Sequence, residues 1–251
     1  MTDQTAERIL TCLREGKLTL QSEFLWGSNY TFLLQVEHPL GQMQAVYKPT
    51  RGVRPLWDFP SPTLARREVA AYQVDLALQW NQVPPTIFRQ DGPLGPGSLQ
   101  MYIEHDPEYH YFNFNAQDRQ RLRPVAIFDL LVNNADRKGS HILIDPARKI
   151  WLIDHGICFH VQEKLRTVIW DYAGEAIPEE LCRDLSVLRQ KLDPGEVLAN
   201  DSPALPGYAR LTDYLSAAEI AALLQRADYL VKTGRFPYPD PDRRHYPWPA
   251  I

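Results

Sequence analysis

A chain of 251 residues with 44% hydrophobic and 23% charged residues has an ordinary globular composition, long enough for one large domain or two packed lobes. Its formal net charge of −4 argues against nucleic acid or an anionic membrane as the main partner. Three dispersed cysteines, Cys12, Cys158 and Cys182, form no CxxC pair, which excludes a disulfide framework and suits a reducing cytoplasm. The N-terminus is polar where a signal peptide would be basic and then apolar, and no apolar run reaches the length of a transmembrane segment. A cytoplasmic location is expected.

The spacing of Ile9, Leu10 and Leu13 predicts a helix over residues 3–15, closed by Gly16. Strands are expected over residues 18–26, 31–36 and 43–48, forming a small antiparallel sheet. The turn Gly27, Ser28, Asn29 can aim backbone N–H groups at a phosphate, although such turns commonly only close hairpins. Lys48 ends the third strand, and a helix over residues 64–79 follows with Glu68 in its first turns. Packed on the sheet, that helix would set Glu68 beside Lys48, giving a buried ammonium its partner. Such an ammonium can bind phosphate oxygens as a compact point charge. The loop 51–62 either covers a cleft or simply links.

A strand is expected at residues 87–89, then a loop over 91–97 and a strand over 98–104. The polar, aromatic stretch 105–115 reads as a crossing from a strand-rich lobe to a helical one. The backbone of Gln100, Tyr102 and Ile103 would then line the cleft floor, where an adenine edge can bond. A helix over 116–132 carries Asp129 inside an apolar run. A buried aspartate needs donors, and the following loop can supply them, so Asp129 reads as a brace.

That loop, residues 133–141, contains Asp136, Arg137 and Lys138. Two short apolar runs, 141–144 and 150–153, flank a Pro-containing turn and predict a β-hairpin. Folded back, the hairpin brings Asp136 near Asp154. Two carboxylates at one mouth can hold a divalent cation against phosphate oxygens. Further on, Pro178 opens a helix reaching about residue 192. Ser216 and Glu219 form a capping box for a last helix that Gly234 ends. The tail, residues 235–251, is rich in proline and aromatics and is expected to be extended and docked, covering Phe236, Tyr238, Tyr246 and Trp248.

In this order the pieces resemble the phosphatidylinositol 3-/4-kinase branch of the protein-kinase-like fold, most nearly the type II phosphatidylinositol 4-kinases. Val46-Tyr47-Lys48-Pro49 resembles their lysine strand and Arg67-Glu68-Val69-Ala70-Ala71-Tyr72 their glutamate helix. Gly97-Ser98-Leu99-Gln100-Met101-Tyr102 is similar to their hinge strand. The run from Asp129 to Arg137 resembles their catalytic segment, and Ile153-Asp154-His155-Gly156 their metal-binding motif. The similarity covers about residues 20 to 175.

The resemblance implies an α+β, two-lobed fold: an antiparallel sheet with a helix, then a mostly helical lobe bearing a catalytic hairpin. Its expected division is a nucleotide-binding lobe over 1–104, a catalytic lobe over 105–234 and a tail over 235–251. It implies ATP with Mg2+ or Mn2+ as cofactors. Lys48 and Glu68 would hold phosphates beneath the Gly27 turn, Asp154 would bind metal, and Asp136 would take or orient the acceptor proton. Arg137, Lys138 or His141 would offset phosphoryl charge. His141 stands where that branch has a metal-binding Asn, so phosphate binding, a different metal or lost activity are all open. The lipid-attachment cysteines of the type II enzymes have no counterpart. A small alcohol, a lipid headgroup or a protein side chain remain possible acceptors. AMP transfer and a nucleotide-binding module without turnover are alternatives. A metal hydrolase using Asp136, His141, Asp154 and His155 is a third, opposed by the divergence of adjacent side chains in a strand.

Overall fold

A computed structural model describes residues 3–24, 30–51, 56–192 and 211–251. Its first half is a five-stranded antiparallel sheet with two helices. Strands β1 (Lys17–Glu23), β2 (Phe32–His38), β3 (Gly41–Pro49), β4 (Thr86–Gly92) and β5 (Gly95–Met101) lie in the order β1-β2-β3-β5-β4. Along β2 the buried residues are Phe32, Leu34 and Val36, and along β3 Ala45, Tyr47 and Pro49. This period of two is what one covered face requires. With Tyr47 inside, Lys48 takes the opposite face.

Helix α1 (Asp3–Glu15) buries Leu10, Cys12 and Leu13 and packs on the sheet. Helix α2 (Leu64–Leu78) is buried almost all round, Glu68 included. It touches both halves of the molecule, packing on β4 and β5 and on the later helix α5 (Glu179–Lys191). Arg67 strengthens that bridge. Its guanidinium pairs with Glu219, donates to the Cys158 carbonyl and lies 5.2 Å over the Phe59 ring.

Two expected elements differ. The loop expected at 91–97 is a tight hairpin, since β4 runs to Gly92 and β5 starts at Gly95, leaving Pro93 and Leu94 as the connection. The helix expected at 116–132 is two helices, α3 (Ala116–Gln120) and α4 (Arg123–Val132). Pro124 explains the break: proline suits a first turn, but lacks the N–H that a continuous helix would need there.

The second half packs α4 and α5 against α6 (Ala217–Thr233), with Phe128, Leu131, Leu185, Leu188 and Leu223 in one core. Ser216 caps α6 with Glu219 in a capping box, and Gly234 ends it with left-handed backbone, as the sequence indicates. Pro178 is the N-cap of α5 and stands one position before its first turn. Strands β6 (Ile142–Ile144) and β7 (Ile150–Leu152) form the hairpin that carries the site. The tail docks, but chiefly through its backbone. Phe236 is buried, whereas Tyr238 and Trp248 are 75% and 81% exposed. Hydrogen bonds hold it instead, from Phe236 N–H to Glu175 O, from Thr167 N–H to His245 O and from Gly139 N–H to Ala250 O.

Gly97 faces Pro49 where β5 passes β3, and a Cβ there would lie 2.5 Å from the Lys48 carbonyl and 2.8 Å from Pro49 Cα. Both neighbours are backbone, so the strands themselves must part. Gly97→Ala is expected to cost about 1–3 kcal/mol, as overpacking does, read as a lower urea midpoint at unchanged slope; an unchanged midpoint would show that the sheet yields freely.

Candidate functional site

Lys48 sits in a strand paired on both sides, opposite Ser98 on β5 and next to Tyr47, which faces Phe32 on β2. The strand cannot shift without breaking two ladders. Its ammonium lies 2.5 Å from Glu68 Oε1 and 2.8 Å from Asp154 Oδ1. The other Glu68 oxygen accepts the His155 N–H at 2.9 Å. One buried carboxylate therefore holds both the lysine and the backbone beside Asp154. Burial works against the Lys48 charge, but Asp154 and Glu68 outweigh it and hold the ammonium above its ordinary pKa. Burial pushes Asp154 upward, and Lys48 and His141 overcome that, keeping its carboxyl well below the usual range. Asp154 has φ 62°, the left-handed region that aspartate tolerates better than most residues. That turn aims its carboxylate at Lys48.

Beneath lies the loop 133–141. Asp129 and Arg137 are both completely buried and joined by Arg137 Nε to Asp129 Oδ1 at 2.9 Å. Asp129 also accepts from Asn134 Nδ2 at 3.1 Å and Thr167 Oγ1 at 3.0 Å. It braces the loop as the sequence suggests, but side chains supply most of the donors. Arg137 does not face the cleft. Its remaining N–H groups go to the carbonyls of His141 and Ile153 and to His155 Nε2, at 3.2, 2.8 and 2.8 Å. Burial and the Arg137 charge push the His155 imidazole well below its ordinary pKa, so it is neutral and accepts at Nε2. Sequence reasoning gave His155 no structural part. Its neighbour Asp154 drew attention as the acid, and only packing shows the imidazole turned inward onto Arg137.

Asp136, Lys138 and His141 border the opening. The Asn134 side chain accepts the Asp136 N–H at 3.0 Å, fixing the turn. Burial raises the Asp136 carboxyl to about 6, against the pull of Lys138 and with a smaller push from Asp154. Lys138 Nζ stands 3.5 Å from Asp136 Oδ2. His141 Nε2 is 3.2 Å from Asp154 Oδ2. Burial lowers the imidazole to about 4 although Asp154 favours its charge, so it is neutral near pH 7 and donates at Nε2. Among the described residues no group of three or more His, Cys, Asp or Glu could hold a metal by itself. His155 is turned onto Arg137 at 2.8 Å, which takes it out of a hydrolase built from Asp136, His141, Asp154 and His155.

The expected hinge follows β5. Gln100 pairs with Val46 and Thr86 in the sheet, and its side chain donates to Thr86 Oγ1 at 2.8 Å, inside the first half of the molecule. Tyr102 N–H goes to the Gln44 carbonyl at 3.0 Å, and Ile103 O meets His105 Nδ1 at 2.8 Å. Ile103 packs with Leu143 and Trp151, joined by Met101 and Ile153, in a small apolar cluster separate from the main core. The alternation of the hairpin explains it. Ile142, Ile144, Ile150 and Leu152 point into the main core, so Leu143, Trp151 and Ile153 turn to the hinge side. These three were not singled out from sequence, although the period of two in each short run carries the signal. Gly27, Ser28 and Asn29 lie outside the described residues.

No protein-family model matches the chain. Protein Rv2133c of Mycobacterium tuberculosis is 38% identical to it over 274 aligned residues, covering 95% of this chain and 94% of that one. The chain belongs to the Rv2133c family. Phosphatidylinositol 4-kinase gamma 4 of Oryza sativa subsp. japonica is 28% identical over 130 residues, which cover 45% of this member of the Rv2133c family and 23% of the plant protein. Among solved structures, the crystal structure of the Golgi casein kinase with Mn/ADP bound superposes with a TM-score of 0.56 at 14% identity, covering 97% of this chain and 81% of that one. The Rv2133c-family chain has the two-lobed, protein-kinase-like α+β fold.

Losing either member of the Asp129–Arg137 pair would strand a charge away from water. Asp129→Ala is expected to destabilise the protein by about 3–5 kcal/mol. Replacing both with leucine is expected to cost less than Asp129→Leu and Arg137→Leu added together, in chemical denaturation of the wild type, the two single variants and the double variant. Simple additivity would show that the two side chains act separately.

Proposed function

We propose that this chain is an ATP- and divalent-metal-dependent phosphotransferase that phosphorylates a hydroxyl group, built on the plan of the phosphatidylinositol 3-/4-kinase branch. The single observation carrying this reading is Lys48 held at 2.5 Å from Glu68 and 2.8 Å from Asp154, one ammonium between carboxylates from the two halves of the molecule. The kinase folds of its structural neighbours and the partial likeness to a plant phosphatidylinositol 4-kinase support it. In this reading the sheet half, residues 1–104, holds the nucleotide and residues 105–234 carry the chemistry, with the tail over 235–251.

Lys48 would bind α- and β-phosphate oxygens. The adenine would lie on the apolar cluster of Ile103, Leu143 and Ile153, with its edge toward the backbone at Tyr102 and Ile103, beyond the sheet pairing that occupies Gln100. Asp136 would accept the proton as the acceptor oxygen bonds to the γ-phosphorus. The bond from that phosphorus to the ADP oxygen breaks, and its electron pair leaves with ADP. A carboxyl near 6 suits this work, being ionised at neutral pH yet basic enough to take a proton. Arg137 and Asp129 are positioning residues that keep the loop in place, while Lys138 faces developing charge.

Asp154, an anion, fits a divalent ion, and His141 would join it as the neutral tautomer protonated at Nδ1, which frees the Nε2 that otherwise donates to Asp154; phosphate oxygens would complete the shell. The ion would neutralise charge on the transferred group. Imidazole favours Mn2+ over Mg2+ more than an amide or carboxylate would. A nucleotide-binding module without turnover is the second reading, favoured by His141 alone.

ATP with Mn2+ is expected to raise the melting temperature, by more than with Mg2+. Lys48→Ala and Asp154→Ala should abolish the rise. No response to nucleotide with either metal would overturn both readings. Asp136→Ala should keep the nucleotide response and lose turnover by at least about 100-fold, within the usual range for removing a general base. In the wild type, kcat/KM is expected to fall tenfold per pH unit below about 6, as Asp136 takes up the proton that it must leave open. Turnover that survives in Asp136→Ala, or a flat profile across pH 5–7, would remove Asp136 from this role.

A further inference from the structure

The halves of the molecule meet a second time, away from Lys48. Residues 56–63, which lead into α2, lie on the segment that follows Asp154. Asp58 pairs with Lys164 at 3.1 Å, and the two side chains are only 9% and 15% exposed. The Lys164 ammonium also lies 4.6 Å from the centre of the Trp57 ring. Phe59 is buried in a small apolar cluster with Leu64 and Ala135, joined by Ile157. The His160 ring stands edge-on to it at 5.3 Å. A stretch that simply links two elements would run over the surface; a desolvated ion pair and a buried phenyl ring mark a contact that the fold maintains.

We propose that Phe59 is a positioning residue for Asp136, and that residues 59–68 act as one body. Glu68 at one end of it sets Lys48, and Phe59 at the other sets the acid that takes the proton. The inference rests on the phosphotransferase reading and adds a residue which that reading leaves out. Ala135 directly precedes Asp136, and its N–H donates to Ile157 O at 3.1 Å. Ile157 itself follows closely on Asp154 in the chain. Phe59 therefore packs where the backbones that carry the two acids are joined. Leu64 extends the contact, since a Cβ on Gly156 would lie 3.7 Å from its own. Between Phe59 and α2 the chain is a closed turn. Thr63 N–H and Oγ1 both donate to Pro60 O, at 2.9 and 2.7 Å, and Arg67 Nε donates to Thr63 Oγ1 at 3.2 Å. The ion pair is anchored to the start of the same loop. Lys164 N–H donates to Asn133 Oδ1 at 2.9 Å, while Asn133 Nδ2 donates to the carbonyls of His160 and Gln162, at 2.9 and 2.7 Å. Removing the Phe59 ring would open a space beside Ala135 and leave the contacts of Lys48 with Glu68 and Asp154 in place.

The test compares the wild type, Phe59→Ala, Phe59→Leu and Asp58→Asn as full chains. ATP turnover with Mn2+ is measured alongside hydrogen exchange of the peptides covering 133–141 and α6. In Phe59→Ala, kcat is expected to fall at least about tenfold with KM for ATP unchanged, since a small misplacement of a reacting group is costly. Exchange over 133–141 should quicken by at least about tenfold while α6 exchanges as in the wild type, the mark of a local opening. Phe59→Leu keeps the apolar contact and should recover most of both losses. Asp58→Asn keeps the shape but strands the Lys164 ammonium, and should act in the same direction. The melting response to ATP with Mn2+ should persist in all four proteins. A wild type without turnover would count against the phosphotransferase reading, and the exchange data would then decide this inference by themselves. Unchanged exchange over 133–141 in both Phe59→Ala and Asp58→Asn, a rise in KM that matches the fall in kcat, or a Phe59→Leu as impaired as Phe59→Ala would overturn it.

Discussion

One ammonium group ties the two halves of the molecule together. Lys48 comes from a strand that ladders on both sides hold rigid, Glu68 from a helix buried on nearly every side, and Asp154 from the turn after the hairpin. A lysine placed there without both acids would lose its charge to burial; with them it is held more firmly charged than in water. The same constraint works in reverse on Asp154. Its ionisation in a partly desolvated site depends on Lys48, so each group keeps the other in the form that phosphate and metal chemistry would use.

Underneath is a second, wholly internal pair. Asp129 and Arg137 stabilise little by attraction alone, because desolvating two charges offsets most of that gain. Their value lies in what else they hold. Arg137 gathers the carbonyls of His141 and Ile153 and the ring of His155, while Asp129 gathers Asn134 and Thr167. Loop, hairpin and the segment beyond it thus share one polar knot. The cleft side chains Asp136, His141 and Asp154 all stand on backbone that this knot immobilises, and such fixing lets fixed charges act without reorganisation.

The tail extends the arrangement to the far wall. It crosses the molecule on backbone hydrogen bonds, burying Phe236 and leaving Tyr238 and Trp248 in solvent, and ends against the N–H of Gly139 in the loop itself. A segment that reads as a proline-rich appendage is in this way joined by its backbone to the loop that carries Asp136.

Local pattern in the chain was enough for the strands and most helices, the capping box of Ser216 and Glu219, the lone Lys48 at a strand end and the buried Asp129. Each of these follows from short-range rules: a period of two or 3.6, a cap, a polar group in an apolar run. Pro124 carried a local signal too, in a helix expected to run straight through it. Tertiary structure alone decided what depends on residues far apart. Lys48 meets Asp154 across 106 positions, Arg137 turns inward because His155 and Asp129 offer it partners there, and the hinge-side cluster needs strands from two halves. A sequence states which groups need partners. Which partner each one finds is fixed by the packing that excludes water, because only there does an unmet charge or hydrogen bond become costly.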